Sequence, residues 1–110
     1  MSTAPRSAPA RLDPAARAAA LRSLPGWEYV EVRDGLRRVF VFADFAGAFA
    51  FMTAVAGLAE ARGHHPEWSN MYNRVDVLWT THDCGGLSAL DVELAASLDE
   101  LYRATRRGEE

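Results

Sequence analysis

The order of the predicted elements indicates an α+β fold, α-ββ-α-ββ-α, in which a four-stranded antiparallel sheet carries three helices on one face. Two short strand pairs with turn residues between them, separated and flanked by helical segments, predict this arrangement. The chain has 110 residues, a common size for one domain. We therefore expect one domain over residues 12–106, a disordered tail at 1–11 and a short C-terminal tail at 107–110.

The first half of the chain predicts a helix followed by a hairpin. Asp13-Pro14 supplies an N-cap and a proline at the first helical position, so a helix should begin there and end near residue 23. Segments 27–33 and 36–42 are rich in β-branched and aromatic residues. Asp34-Gly35 lies between them, and this dipeptide is a strong hairpin signal.

The middle of the chain predicts a long helix with apolar residues on two sides. Asp44 is a suitable N-cap, and Gly63 follows Arg62 at the position where helices often end. Two stripes imply burial on more than one side: either this is a central core helix, or one stripe packs on the sheet and the other on a partner subunit. The two stripes are Phe45, Phe49, Met52, Ala56 and Ala59, and Phe51, Val55 and Leu58.

A second strand pair and a final helix complete the pattern. Segments 68–72 and 75–81 read as strands, and the latter alternates apolar and polar residues. Ser88 with Asp91 three residues later resembles a capping box. The helix that follows should run to about residue 105, with an apolar stripe of Leu90, Leu94, Leu98 and Leu101.

Composition excludes several classes of function. The net charge of −3 gives no basic footprint for nucleic acid. The chain has no lysine, which excludes Schiff-base, pyridoxal-phosphate and Walker-lysine chemistry. Its longest uncharged stretch, residues 45–59, is shorter than the roughly 20 residues that span a bilayer. The single cysteine, Cys84, fits a reducing compartment, so we expect a cytoplasmic protein.

The three histidines are the strongest candidates for chemistry. His64 and His65 follow the middle helix and His82 ends the last predicted strand, so all three fall within 19 residues. Imidazole suits acid–base catalysis near neutral pH. Glu60, four residues before His64, is placed to orient an imidazole.

Two other chemistries fit these residues less well. A zinc site would need further ligands at suitable spacing, and the chain has neither a Cys-x-x-Cys nor a His-x-x-x-His pair. Cys84 near His82 could form a thiolate pair, but their spacing does not ensure contact. A small buried or pocket-lining residue is the simpler interpretation of Cys84.

Several residues at fixed spacing resemble the signature of the pterin-4a-carbinolamine dehydratases. The likeness covers roughly residues 12–102. It includes Gly26-Trp27, Phe49-x-Phe51-Met52, Glu60-x-x-x-His64-His65-Pro66-Glu67-Trp68, Tyr72, His82, Gly86-Leu87-Ser88 and Asp91. Gly63 and Asp83 depart from it, because a larger residue and a glutamate, respectively, are usual at these positions.

The resemblance implies dehydration of 4a-hydroxytetrahydrobiopterin, or a bacterial analogue, to the quinonoid dihydropterin, without a metal or other cofactor. His64 and His82 would be the main acid–base residues, His65 would bind and assist, and Glu60 would support His64. It also implies homodimers whose sheets join, often paired into homotetramers through helices. An aromatic amino acid hydroxylase would be a metabolic neighbour.

The resemblance further implies a pterin pocket lined by residues that flank the histidines. Trp27 and Trp68 are additional candidates, because flat heterocycles favour aromatic walls, although core packing is the simpler interpretation of each. The residues implied by position are Pro66, Thr81, Asp83 and Cys84. Two alternatives stay open: a non-enzymatic protein-binding module that acts as a dimerisation cofactor, and a paralogue that acts on another pterin, for example in molybdopterin metabolism.

Overall fold

A computed structural model describes residues 10–109, with side chains through residue 106. Its elements follow the predicted order, with one short 3-10 helix after the last strand. They are α1 (Pro14–Arg22), β1 (Glu28–Val30), β2 (Gly35–Val41), α2 (Phe45–Arg62), β3 (Glu67–Met71), β4 (Arg74–Trp79), the 3-10 helix (His82–Cys84) and α3 (Ala89–Glu109). Residues 1–9 of the tail predicted at 1–11 lie outside the described residues.

The four strands form one antiparallel sheet in the order β1-β2-β4-β3. Helices α2 and α3 pack against each other and over β2 and β4, while α1 reaches β1 through Arg17, which donates to the Tyr29 hydroxyl. The α+β class and the element order are therefore confirmed. In the sheet register Leu36 of β2 lies opposite Trp79 of β4, and Leu78 lies opposite Glu67 of β3. The start of β2, the end of β4 and the start of β3 consequently meet at one end of the sheet.

Helix α2 begins and ends as its capping residues predict. The Asp44 carboxylate accepts a hydrogen bond from the Gly47 N–H at 2.8 Å, and Gly63 closes the helix with φ +63. The stripe that contains Phe51 and Val55 lies in the core. Phe45 and Phe49 of the other stripe are 47% and 55% exposed. The two stripes thus face different surroundings in the protomer.

The core lies between the inner face of the sheet and helices α2 and α3. Phe40 is its centre, because its ring contacts those of Trp27, Phe51 and Tyr102 at centroid distances of 5.7, 4.7 and 5.0 Å. Alternate residues of β4 complete the inner face: Val75, Val77 and Trp79 are all fully buried. This packing holds the ends of β4 and α2 in fixed relative positions.

Three boundaries differ from the sequence predictions. The first turn spans residues 31–34, so Gly35 already pairs with Val30 instead of forming the turn. Strand β4 ends at Trp79, and His82 lies in the 3-10 helix beyond it. Helix α3 continues to Glu109, past its expected end near residue 105 and into the predicted C-terminal tail. Within residues 10–109 no helix is both long and apolar enough to cross a membrane.

At the other end of the chain, Arg11 belongs to the folded part and not to a tail. It forms an isolated β-bridge with Ser88, and the Leu12 N–H donates to the Leu87 carbonyl at 2.8 Å. These bonds fix the segment before α1 against the loop that leads into α3.

Two glycines of α2 should respond oppositely to alanine. Gly57 lies in the exposed helix interior, where a Cβ would meet nothing within 4 Å, so Gly57→Ala should raise the free energy of unfolding by ~0.5–1 kcal/mol. Gly63 has equal space but a positive φ, so Gly63→Ala should lower it by ~1 kcal/mol. Urea denaturation of both variants measures this, and equal effects would contradict the left-handed helix end.

Candidate active site

A cavity of about 390 Å³ opens at the end of the sheet where β2 begins and β4 ends. This volume lies within the range of small-molecule sites, ~300–1,000 Å³. The segment after α2, the start of β3 and the loop after β4 enclose it. Its lining residues are Arg33, Gly63, His64, His65, Glu67, Thr80, Thr81, His82, Asp83, Gly85 and Gly86.

The buried carboxylate of Asp91 organises the floor of this cavity. Its Oδ1 lies 2.6 Å from His64 Nε2, and its Oδ2 accepts from the Thr81 hydroxyl at 2.6 Å and from the Ser88 N–H at 2.9 Å. The Ser88 contact is the capping box that the sequence predicts at the start of α3. Asp91 is fully buried, so these donors replace the water that a carboxylate requires.

His64 is held on two sides. Asp91 fixes one edge of the ring, and the face stacks on the Trp79 indole with centroids 5.4 Å apart and an interplanar angle of 22°. Only 13% of the side chain is exposed. Because the carboxylate accepts, Nε2 carries the proton, and Nδ1 is the ring nitrogen left to contact a ligand.

The partner of Glu60 is His65, which corrects the expectation that Glu60 supports His64. The Glu60 carboxylate lies 2.7 Å from His65 Nε2, and both side chains are exposed, at 79% and 64%. The left-handed Gly63 reverses the chain, so His64 turns inward while His65 points back along the last turn of α2. The adjacent histidines therefore face different surroundings, as expected for neighbours in sequence.

The third histidine stands on the opposite wall. Thr81 pairs with Gly86 in an isolated β-bridge, and the 3-10 helix between them carries His82, Asp83 and Cys84. His82 and Asp83 are exposed, so this wall is open to solvent. Cys84 is half-buried, and its thiol donates to the Gly86 carbonyl at 3.3 Å.

The carboxylate of Asp34 ties the first hairpin to this wall. It accepts hydrogen bonds from Arg11 and from the Tyr29 hydroxyl, and a Cβ on Gly86 would lie 2.1 Å from its Oδ2. Burial alone would raise the pKa of Asp34, but the hydrogen bonds from Tyr29 and Arg11 outweigh it and lower that pKa. Only glycine allows the loop to approach so closely.

Five of the candidate site residues line the cavity: His64, His65, Thr81, His82 and Asp83. Glu60 reaches it only through His65, and Pro66 and Cys84 lie beside lining residues. The two tryptophans lie elsewhere: Trp27 is buried and donates to Asp99 at 2.9 Å, and Trp68 packs against the core.

Three residues of the site were not assigned to it from the sequence. Asp91 was identified as a helix cap and as part of a signature, and both roles were compatible with an ordinary structural carboxylate. Arg33 and Glu67 line the cavity from different strands, and no local pattern brings them together. Within the described range, no group of three or more His, Cys, Asp or Glu side chains is placed to hold a metal ion.

Comparison with known proteins identifies the family of the chain. The family model for pterin 4 alpha carbinolamine dehydratase matches residues 10–101. The chain belongs to this family. A relative from Rhizorhabdus wittichii, provisionally named a pterin-4-alpha-carbinolamine dehydratase, is 58% identical over 85 residues, which cover 77% of this chain and 88% of the relative. One from Bradyrhizobium sp. ORS 278, named in the same way, is 51% identical over 94 residues, or 86% and 94% of the two chains.

A solved structure of the family shares the fold. It is a crystal structure from Brucella melitensis, described as a transcriptional coactivator/pterin dehydratase. It superposes with a TM-score of 0.81 at 43% identity and covers 84% of this chain and 98% of its own. The match runs over almost the whole neighbour, so the two chains share one fold.

The lowered pKa of Asp34 predicts a pH-dependent contribution to stability. Because its folded pKa lies below the unfolded value near 3.9, this contribution is present above that value and is lost as the pH falls through the folded pKa. Asp34→Asn should therefore lower the free energy of unfolding by ~1–3 kcal/mol at pH 7, and the difference from the wild type should shrink below about pH 4.

Urea unfolding between pH 3 and pH 7 measures this effect of Asp34. Glu31→Gln is the matched control, since Glu31 is an exposed carboxylate in the same turn and should change stability little at any pH. A difference between Asp34→Asn and the wild type that stays constant across the range would contradict the assignment.

Proposed function

We propose that this protein dehydrates 4a-hydroxytetrahydrobiopterin, or a closely related pterin-4a-carbinolamine, to the quinonoid dihydropterin by histidine acid–base catalysis. The observation that carries the proposal is the ordered His64–Asp91 pair at the floor of a cavity whose walls hold His65 and His82. Membership of the family supplies the substrate class.

The reaction needs one base and one acid. The base removes the proton on N5, the electron pair forms the C4a=N5 double bond, and the hydroxyl on C4a leaves as water after an acid protonates it. Both steps lie within reach of imidazole at neutral pH. The cavity offers three imidazoles for these two proton transfers. Because the loss of water leaves the overall oxidation state of the pterin unchanged, the reaction requires no redox step.

The surroundings of the histidines favour different roles. His64 is orientated by a buried carboxylate that also balances the positive charge the ring carries after taking a proton, which suits the base. His82 lies on the exposed wall, where it can regain a proton from solvent, which suits the acid. His65, paired with Glu60, would bind the pterin and assist.

The decisive experiment follows the decay of the 4a-carbinolamine that a phenylalanine hydroxylase generates, with wild-type protein and the variants His64→Ala, His65→Ala and His82→Ala. We expect acceleration by the wild type, a loss of ~10²–10⁴-fold with His64→Ala and His82→Ala, and a smaller loss with His65→Ala. Folded wild-type protein that leaves the decay at the buffer rate would refute the activity.

The two histidine–carboxylate pairs give a second prediction. Asp91→Asn replaces the carboxylate that orients His64, and we expect kcat to fall about 100-fold or more because the ring loses both its tautomer and its charge partner. Glu60→Gln changes an exposed pair and should reduce kcat less than tenfold. Steady-state kinetics on variants shown by circular dichroism to be folded tests this, and equal losses would contradict the assigned roles.

A role in tetrahydrobiopterin recycling follows from this chemistry. A pterin-4a-carbinolamine is formed when a pterin-dependent monooxygenase hydroxylates its substrate, so an aromatic amino acid hydroxylase would supply the substrate. Cys84 is free, as suits the cytoplasm. Recycling requires only that the dehydrated product be reduced again by another enzyme.

We also propose that the protein self-associates through the exposed stripe of α2. Phe45 and Phe49 lie with ring centroids 5.7 Å apart and continue into an apolar surface of small side chains. Contiguous exposed apolar side chains of this kind are characteristic of protein–protein contacts. The neighbour described as a transcriptional coactivator makes a heterologous protein the alternative occupant of this surface.

Self-association through α2 predicts that Phe49→Glu lowers the oligomer order. Sedimentation velocity should show a smaller species for this variant than for the wild type, because a buried unpaired carboxylate costs several kcal/mol at an interface. Val32→Glu is the control, since Val32 is 90% exposed on the first hairpin turn. A wild type that is monomeric at all concentrations would refute self-association and would favour a heterologous protein as the occupant of this surface.

A further inference from the structure

An ion pair stands at the mouth of the active-site cavity. The guanidinium of Arg33 donates through Nη2 to Glu67 Oε2 at 2.6 Å, and both residues line the cavity. Their side chains are 48% and 52% exposed, whereas His64 and Thr81 at the floor are nearly or fully buried. The pair therefore forms the rim, and the proposed acid–base chemistry does not use it.

The position of Arg33 is set by the hairpin turn and not by the ion pair alone. The Thr80 hydroxyl lies 3.0 Å from the Asp34 carbonyl and 3.4 Å from that of Arg33. The Asp34 carboxylate is anchored beside Gly86. Glu67 is fixed as the first residue of β3, opposite Leu78. Two anchored backbones thus present the guanidinium and the carboxylate side by side.

The charge balance at the mouth disfavours an anionic ligand. Arg33 is offset by Glu67, and Asp83 adds a second carboxylate to the lining. The ion pair uses one of the five guanidinium N–H donors and one of the two carboxylate oxygens. Adjacent donors and acceptors of this kind match a hydroxyl group, which accepts and donates at once.

We propose that the Arg33–Glu67 pair is the specificity-determining subsite for a neutral, hydroxylated side chain on C6 of the pterin. Arg33 donates to one hydroxyl oxygen and Glu67 accepts from a hydroxyl of the same side chain. The substrate class is then uncharged polyhydroxyalkyl pterins, and pterins with a phosphate or carboxylate on that side chain are disfavoured. This inference rests on the proposed function for the orientation of the ring.

The chemistry of the substrate places the side chain at the rim. C6 is bonded to N5, the atom from which the base takes a proton, so the side chain starts one bond from the reacting centre. His64 and Thr81 close the floor, and a hydrated substituent has no space beneath them. A ring that presents N5 and C4a to the histidines consequently directs its C6 substituent toward the open mouth.

A paired-substrate comparison tests the subsite. The kcat/KM values are measured for the carbinolamines of tetrahydrobiopterin, which carries two side-chain hydroxyls, and of 6-methyltetrahydropterin, which carries none. Arg33→Met and Glu67→Gln should each lower the value for the biopterin substrate about tenfold and leave that for the 6-methyl substrate unchanged. Arg37→Met is the matched control, because Arg37 is a paired arginine on the open face of the sheet.

Binding of 7,8-dihydroneopterin and of its monophosphate ester, measured by calorimetry, adds a readout that needs no turnover. The wild type should bind the neutral compound more tightly than the ester. Glu67→Gln should reduce this difference in affinity because it removes a carboxylate that repels the phosphate. Tighter binding of the phosphate ester by the wild type would overturn the proposal. Arg33→Met and Glu67→Gln variants that lower kcat/KM equally for both carbinolamines would also overturn it.

The two proposals fail in different ways. Wild-type protein that accelerates neither carbinolamine refutes the dehydratase activity, and the calorimetric comparison still decides the subsite. Wild-type protein that accelerates both carbinolamines equally, with kcat/KM values unaffected by Arg33→Met, refutes the subsite and leaves the activity standing.

Discussion

The buried carboxylate of Asp91 is the interaction on which the site depends. It joins three separate parts of the chain: the segment after α2 through His64, the segment after β4 through Thr81, and the start of α3 through Ser88. An isolated buried carboxylate would be strongly destabilising. Here hydrogen bonds and the N-terminal end of α3, which favours negative charge, offset that cost. The same carboxylate that caps a helix therefore orients the imidazole.

The sheet topology explains why the site has a rigid floor and an open rim. Core packing fixes Trp79, on which His64 stacks, while His65 and His82 project from short segments outside the strands and the α-helices. In the proposed function the floor would hold the pterin ring in one orientation, and the rim, where Arg33 meets Glu67, would contact the substituent that extends from the ring. The two proposals place reactivity and substrate selection at different depths of one cavity.

Local signals predict the elements well but not the contacts between them. Asp13, Asp44 and Gly63 mark helix ends because capping is decided within a few residues. The cluster of histidines was also visible in the sequence. Asp91 pairs with His64, and Glu60 pairs with His65. This pairing depends on a left-handed glycine that turns one ring inward. The ion pair at the rim depends on strand order. Neither the histidine–carboxylate pairing nor the rim ion pair produces a periodic pattern in the sequence.

The state of the His64 ring tests the central claim most directly. Nitrogen-15 NMR of the histidine-labelled protein reports which ring nitrogen carries the proton and which contacts a bound 7,8-dihydrobiopterin. We predict a protonated Nε2 held by Asp91, and an Nδ1 resonance that shifts when the pterin binds. A ring protonated on Nδ1 alone, or an Nδ1 resonance that is insensitive to saturating pterin, would contradict it.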